Sequence, residues 1–347
     1  MPHDPTRFQD SIPRRAVVRF LGGVAGAALW PLNFGGCSPE GTGPVSIGST
    51  WRPTPEAPLT PADRFYVNTN FTTPAVPQKW RLHLQGLVDE PVSLSLDEIR
   101  ALPQVTREIT LECIGNVPGG TLLSSAPFTG VLLRDVIDLA GRSDRARGIQ
   151  LLGLDGYPAY LPIAVAETDD ALLAHALYDQ PLPIDHGPPL RALLPGRYGM
   201  FSIKWLDSIT LTREYATYGS LAELVNFVDG TSRVRSRIDS VRDRTVLRVG
   251  ETVPIEGLAV TPGDGVSRVE VDTGRGWREA AITFNRLDDD RSPFLWSLWR
   301  YDWTPEAPGE YIVRVRAFDT RGETQDTEAD FPYDSSAVHR IVVRVVG

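Results

Sequence analysis

The sequence predicts an α+β chain, with a first domain of mixed α/β structure followed by an all-β domain of sandwich type. Three observations carry this. The 31 Gly and 29 Pro are spread along 347 residues, as in a chain of many short strands and turns. Stretches of helical spacing fall in the first two thirds only. From Val249 onward, β-type runs recur between Gly, Asp and Pro turns. With 41% hydrophobic residues, the length suffices for two cores.

Residues 1–36 read as an export signal. Pro13-Arg14-Arg15-Ala16-Val17-Val18-Arg19 resembles a twin-arginine signal, with Val17 and Val18 where Phe-Leu is usual. The apolar run Phe20–Leu32 that follows is too short to span a bilayer. Phe34-Gly35-Gly36-Cys37 resembles a lipobox, which makes Cys37 a candidate lipid anchor. The alternative is an uncleaved N-terminal anchor. Export implies the periplasm or the outer face of the cytoplasmic membrane. Residues 37–60, rich in Gly, Pro, Ser and Thr, read as a tether.

The first domain is expected over residues 61–230. Trp80–Gly86 and Val92–Leu96 alternate as strands, and Ser95 with Glu98 makes a capping box for a short helix. Arg107–Glu112 reads as a strand with Ile109, Leu111 and Cys113 on one face; Asn116, Pro118, Gly119 and Gly120 then form a tight loop. Leu132–Ala140 is amphipathic and helical, and Gly141 ends it. Ile149–Leu154 and Ala159–Ile163 flank Asp155-Gly156, a hairpin signal.

Residues 231–248 are charge-rich and read as a connector. Residues 249–347 contain strands at Val253–Val260, Ser267–Val271, Trp277–Phe284, Leu298–Trp303, Tyr311–Asp319 and Val338–Val346, the spacing of an immunoglobulin-like sandwich. Trp296, Trp299 and Trp303 alternate imperfectly with polar residues, so some face a core and one is a candidate for a subunit contact.

Beyond Cys37 the chain has one cysteine, Cys113, at the handover from strand to loop. A lone cysteine is ordinarily a small buried core residue. A strand end that meets a loop is also where ligands are held.

Two blocks decide between these readings. Arg107–Gly120, REITLECIGNVPGG, continued by Ser124–Leu133, resembles the core segment of the sulfite oxidase family of molybdenum enzymes. There a cysteine in a C-x-G-N or C-x-S-N turn is the protein's one ligand to molybdenum. The second block runs Gln180–Arg191, Leu194–Gly199 and Ser202–Leu206, and carries P-L-P, H-G, P-x-R, P-G, G and S-x-K-W in the family's order.

The resemblance implies a molybdenum–molybdopterin cofactor with Cys113 on the metal, Asn116 beside it, and His186, Arg191, Ser202 and Lys204 around the pterin phosphate. Arg64–Phe71 resembles the family's first pterin-contacting segment, which adds Asn68 and Asn70. The chemistry agrees. A thiolate is a soft donor for such a metal, and a cluster of cations suits a phosphate of nearly two negative charges. His175 stands near the family's active-site tyrosine and is a candidate proton donor, against the plainer reading of a helix-surface histidine. Tyr178, Arg197 and Tyr198 are weaker candidates of the same kind.

The expected activity is two-electron oxygen-atom transfer by an exported homodimer, with electrons exchanged with an external cytochrome or membrane haem protein. Sulfite-oxidising members place arginines where this chain has Asn68, Val117 and Pro118, so sulfite is not the expected substrate. The alternative is a degenerate, non-catalytic structural module. A net charge of −9 argues against nucleic acid as a partner.

Overall fold

The computed structural model describes residues 45–69, 71–214, 230–285, 294–325 and 337–347. The export segment 1–36, the lipobox residue Cys37 and the pterin candidate Asn70 lie outside the described residues.

The described chain is mostly β. Its first part contains β1 (Val45–Ile47), β2 (Val67–Thr69), β3 (Leu82–Gly86), β4 (Val92–Leu94), β5 (Val105–Glu112), β6 (Leu123–Leu132), β7 (Gly148–Gly153), β8 (Pro158–Pro162), β9 (Leu172–Leu177), β10 (Gln180–Pro181), β11 (Arg191–Leu193) and β12 (Leu206–Thr212). Two short α-helices, Leu96–Arg100 and Leu133–Leu139, accompany them. The first carries the expected capping box between Ser95 and Glu98. The second buries Leu133, Val136 and Ile137, spaced to fall on one face.

Two five-stranded sheets and the two-stranded β1-β2 pairing build this part. One has the order β4-β3-β12-β7-β8, with β3 and β12 parallel and the other pairs antiparallel. Its inward residues, including Leu82, Leu84, Ile149, Leu151, Ile209 and Leu211, share one core with the second helix. The other sheet runs β10-β9-β6-β5, with β11 also on β9. Phe65, Tyr66, Ile109, Leu111, Phe128 and Ala174 form its core, and Cys113 packs against it, as the alternation of Ile109, Leu111 and Cys113 requires.

The last part contains β13 (Arg235–Ile238), β14 (Val246–Arg248), β15 (Val253–Val260), β16 (Val266–Asp272), β17 (Trp277–Phe284), β18 (Ser297–Trp303), β19 (Gly309–Asp319) and β20 (His339–Val346). They form one hydrogen-bonded path, β13-β15-β18-β17-β16-β19-β20-β14.

Four expectations change. The supposed connector 231–248 contains two strands of the C-terminal sheet, β13 on β15 and β14 on β20. Its charges hid the first, because buried Arg235 and Arg237 sit where a strand usually shows aliphatics. Nor is the tether loose over 45–60: β1 pairs with β2, the Ser49 amide donates to the Thr121 carbonyl at 2.9 Å, and Trp296 Nε1 donates to the Pro58 carbonyl at 2.7 Å. His175 lies on a strand, β9, and not on a helix. Trp296, Trp299 and Trp303 are all buried within the chain, so none is left for a subunit contact.

Candidate functional site

Cys113 follows the last residue of β5 and begins a loop that closes on itself. The Asn116 amide donates to the Cys113 carbonyl, and the Leu122 amide donates to Asn116 Oδ1, each at 3.0 Å. A Cβ on Gly120 would stand 2.3 Å from that oxygen, so the tight turn admits only glycine there. Asn116 is 2% exposed and lies under the loop. Its oxygen staples the turn, and it is not among the residues lining the cleft described next.

Beside Cys113 opens a cleft. Asn68, His186, Arg191, Ser202 and Lys204 line it together with Cys113. Residues more than 130 positions apart in sequence thus meet on one concave surface.

Each is held by its element. Asn68, in the middle of β2, donates from Nδ2 to Cys113 Sγ at 2.8 Å. Lys204 Nζ donates to Thr69 Oγ1 at 2.7 Å and to the Asp185 carbonyl at 3.0 Å, and lies 4.5 Å from the Trp205 ring centroid. Trp205 is in turn anchored by its indole N–H on the Ile184 carbonyl at 3.0 Å. Ser202 Oγ accepts from the Leu194 amide at 3.2 Å and pins the loop that precedes Lys204. Gly187 has φ +93°, and a Cβ there would meet Lys204 Cα at 2.7 Å.

The electrostatics divide the cleft. Burial pushes the Cys113 thiol up, outweighing hydrogen bonds from Gly115 and Asn68 that pull it down, so the bare sulfur keeps its proton. Burial lowers Lys204 to about 7, reinforced by Arg191. Arg191 itself is brought down to about 10 by burial. His186 falls to about 3, from burial and then from Arg191 and Lys204, and is neutral at physiological pH. The expected trio of cations is therefore a pair, Arg191 and Lys204, beside an uncharged imidazole.

These residues fit the molybdenum cofactor that the sequence implies. Arg191 is 6% exposed, and its Nε is buried without a hydrogen-bond partner in the protein. Two desolvated cations beside a cleft await an anion. Among the described residues no group of three or more His, Cys, Asp or Glu side chains could hold a metal. A metal held by Cys113 would need its other ligands from a group such as a pterin dithiolene.

His175 does not join this cleft. Its Nε2 pairs with Gln104 Oε1 at 2.8 Å. Burial, then nearby Arg100, holds its pKa below the ordinary value, an environment of its own that shares nothing with Cys113. The strand period decides this: on β9, His175 and Ala174 point to opposite faces, and Ala174 belongs to the core against which Cys113 packs. Tyr178 donates its hydroxyl to the Thr60 carbonyl at 2.8 Å, and neither it, Arg197 nor Tyr198 lines the cleft.

The cleft also holds residues not singled out from the sequence: Tyr66, Thr69, Asp155, Tyr157, Asp185 and Met200. Tyr66 is 7% exposed, and its phenol is held protonated by burial and by Cys113, against the pull of Arg191. Gly199 makes room for it, since a Cβ there would come within 2.6 Å of the Tyr66 hydroxyl. Asp155 is raised by burial despite the Tyr157 amide and Lys204. In sequence it was one residue of a hairpin turn, with no signal that the turn faces Lys204.

Comparison with known proteins follows the same division. The family model described as an oxidoreductase molybdopterin binding domain matches residues 70–218, and the one described as a Mo-co oxidoreductase dimerisation domain matches residues 230–338. Sulfite oxidase of Arabidopsis thaliana is 28% identical, covering 83% of this chain and 88% of that protein. The mitochondrial sulfite oxidase of Mus musculus is 30% identical over 84% of this chain, which spans only 62% of that longer protein. A nitrate reductase [NADPH] of Emericella nidulans is 34% identical over 44% of this chain and 21% of its own length. The sulfane dehydrogenase SoxCD structure from Paracoccus pantotrophus shares the fold at a TM-score of 0.71, with 18% identity, over 97% of this chain and 100% of that one.

Proposed function

The chain belongs to the sulfite oxidase family of molybdopterin-dependent oxidoreductases, and we propose that it is an exported oxygen-atom-transfer enzyme acting on a neutral substrate such as a sulfoxide. Its cofactor is molybdenum–molybdopterin. When bound, that cofactor supplies a metal that changes oxidation state by two electrons as an oxygen atom moves to or from substrate.

The chain's own residues do the rest. Cys113 would hold the metal as thiolate, giving up the proton that burial otherwise keeps on it. Asn68 orients the sulfur by its amide. Arg191 and Lys204 neutralise the pterin phosphate, with Thr69 and the Asp185 carbonyl aiming the ammonium. Tyr66 is confined to the role of an uncharged hydrogen-bond donor in the cleft.

One observation carries the substrate assignment: the group that touches the Cys113 sulfur is the neutral amide of Asn68. Sulfite-oxidising members of the family have arginine at that position and just after the metal cysteine, where this chain has Val117 and Pro118. Each missing contact between unit charges is worth about 4 kcal/mol at an effective dielectric near 20. A small dianion loses most from such a change, and a neutral oxide loses least.

Electrons exchange with an external cytochrome or membrane haem protein. The leader supports export by the twin-arginine route to the periplasmic side, with Cys37 as lipid anchor. We read the C-terminal strands as an immunoglobulin-like module through which two copies associate, in keeping with the dimerisation family model. The test is steady-state turnover of the molybdenum-loaded chain on methyl and aryl sulfoxides with a reduced dye, and on sulfite with an oxidised one. Sulfoxide reduction well above sulfite oxidation is expected; efficient sulfite turnover would falsify the assignment.

A further inference from the structure

The C-terminal sheet grips the loop that carries Cys113. Glu112, the residue before the cysteine, forms an ion pair with Arg235 of β13, and both side chains are nearly closed to solvent, at 5% and 2% exposure. Arg235 Nη2 also donates to the Val117 carbonyl at 3.2 Å. Two residues on, Arg237 Nη1 donates to the Gly120 carbonyl at 2.7 Å, while its Nε is held by Asp239 Oδ1 at 2.7 Å. His339, on β20, accepts from the Ile238 amide through Nδ1 at 3.0 Å, and its ring fills the space over Gly119. A Cβ on Gly119 would stand 2.3 Å from His339 Nε2.

The contacts fall on both sides of the cysteine. One is on the residue before it and two are on carbonyls four and seven residues after it. Register fixes the donors: Arg235 and Arg237 are opposite Val260 and Leu258 on β15, so neither can shift without the sheet. Neither arginine lines the cleft, so neither serves the ligand directly.

Burying guanidinium groups is a costly way to pack two domains, and well-packed apolar side chains of similar volume hold an interface as well or better. What a fork of fixed N–H donors adds is direction, by aiming chosen carbonyls. We propose that Arg235 and Arg237 are positioning residues for Cys113, and that the C-terminal domain is thereby a structural part of the metal-ligand loop. The contacts themselves stand whatever the substrate is; only their purpose rests on Cys113 being the metal ligand.

Hydrogen–deuterium exchange on the full, molybdenum-loaded chain tests this. Arg237→Met removes the hold on Gly120 and leaves the Arg235–Glu112 pair intact. Amides of Asn116, Gly120 and Leu122 are expected to exchange about tenfold faster or more, with those of Leu206–Thr212 unchanged. Molybdenum is expected to leave the variant faster on dialysis, with Arg237→Lys intermediate. Arg235→Lys keeps the charge beside Glu112 but loses the fork, and is expected to loosen the same loop. Unchanged loop exchange in both variants, or an equal rise in Leu206–Thr212, would overturn the proposal. Loop loosening with no molybdenum bound even to the wild-type chain would instead count against Cys113 as ligand and leave the clamp standing.

Discussion

At the scale of single residues, Cys113 matters for its sulfur. A serine keeps the size and the hydrogen-bonding capacity but offers a hard, strongly basic oxygen in place of a soft thiolate. Cys113→Ser is expected to purify folded, with molybdenum content reduced at least tenfold by elemental analysis; wild-type content would remove the sulfur from the metal. Lys204 sets the pH behaviour of the cleft. Its folded pKa of about 7 is below the ordinary lysine value of 10.5. Between these values the unfolded chain binds more protons, so stability from this group rises with pH across the window, and the penalty is fully present below it. An anion reverses the preference by favouring the charged ammonium. Affinity of the cofactor-free protein for inorganic phosphate is therefore expected to fall as pH rises through about 7 to 8, and Lys204→Met to flatten that slope. Calorimetric titration at several pH values reads both. His186, at about 3, contributes no charge change there.

Elements differ in what they serve, and two substitutions separate fold from site. The Ser95–Glu98 capping box closes a helix remote from the cleft, with Ser95 Oγ accepting from the Glu98 amide at 3.3 Å. Ser95→Ala is expected to cost about 1 kcal/mol in urea unfolding and to leave molybdenum retention unchanged. Gly187 ends the short helical turn that carries His186, at a left-handed φ of +93°. A methyl there meets backbone, Lys204 Cα at 2.7 Å and the Trp205 amide nitrogen at 2.8 Å, so the segment leading into β12 must shift. Gly187→Ala is expected to cost roughly 1–3 kcal/mol and, unlike Ser95→Ala, to weaken phosphate binding as well. Equal phosphate affinity in the two variants would separate Gly187 from the site.

For the whole molecule, Trp296 joins the two parts. It is 1% exposed, packs with Leu123, Leu258 and Leu298, and its amide donates to Thr110 Oγ1 at 3.1 Å. Trp296→Ala is expected to cost about 3–5 kcal/mol and to split a single urea transition into two, because the residue serves both domains at once. A single transition shifted by less than ~1 kcal/mol would show that the junction does not depend on it.

Much was legible in the sequence, for definite reasons. Six C-terminal strands were legible because their alternation meets a one-sided core, and the Trp277–Phe284 strand coincides in both bounds. That Arg191, Ser202 and Lys204 meet in one cleft was reachable only through the family resemblance of the block that carries them; taken alone, Arg191 and Lys204 read as solvated surface charges. The first strand of the C-terminal sheet was not legible, since Arg235 and Arg237 turn their charges inward toward partners that a linear reading cannot supply. His175 was misplaced because local spacing fixes neither helix against strand over six residues nor which face of the sheet looks on the cleft. Protonation belongs to the same class. That His186 is neutral and Lys204 half-charged near neutrality follows from burial and from cations brought together by folding. Residue chemistry and short-range period are properties of the chain, whereas dielectric, facing and long-range partners exist only once distant segments have packed.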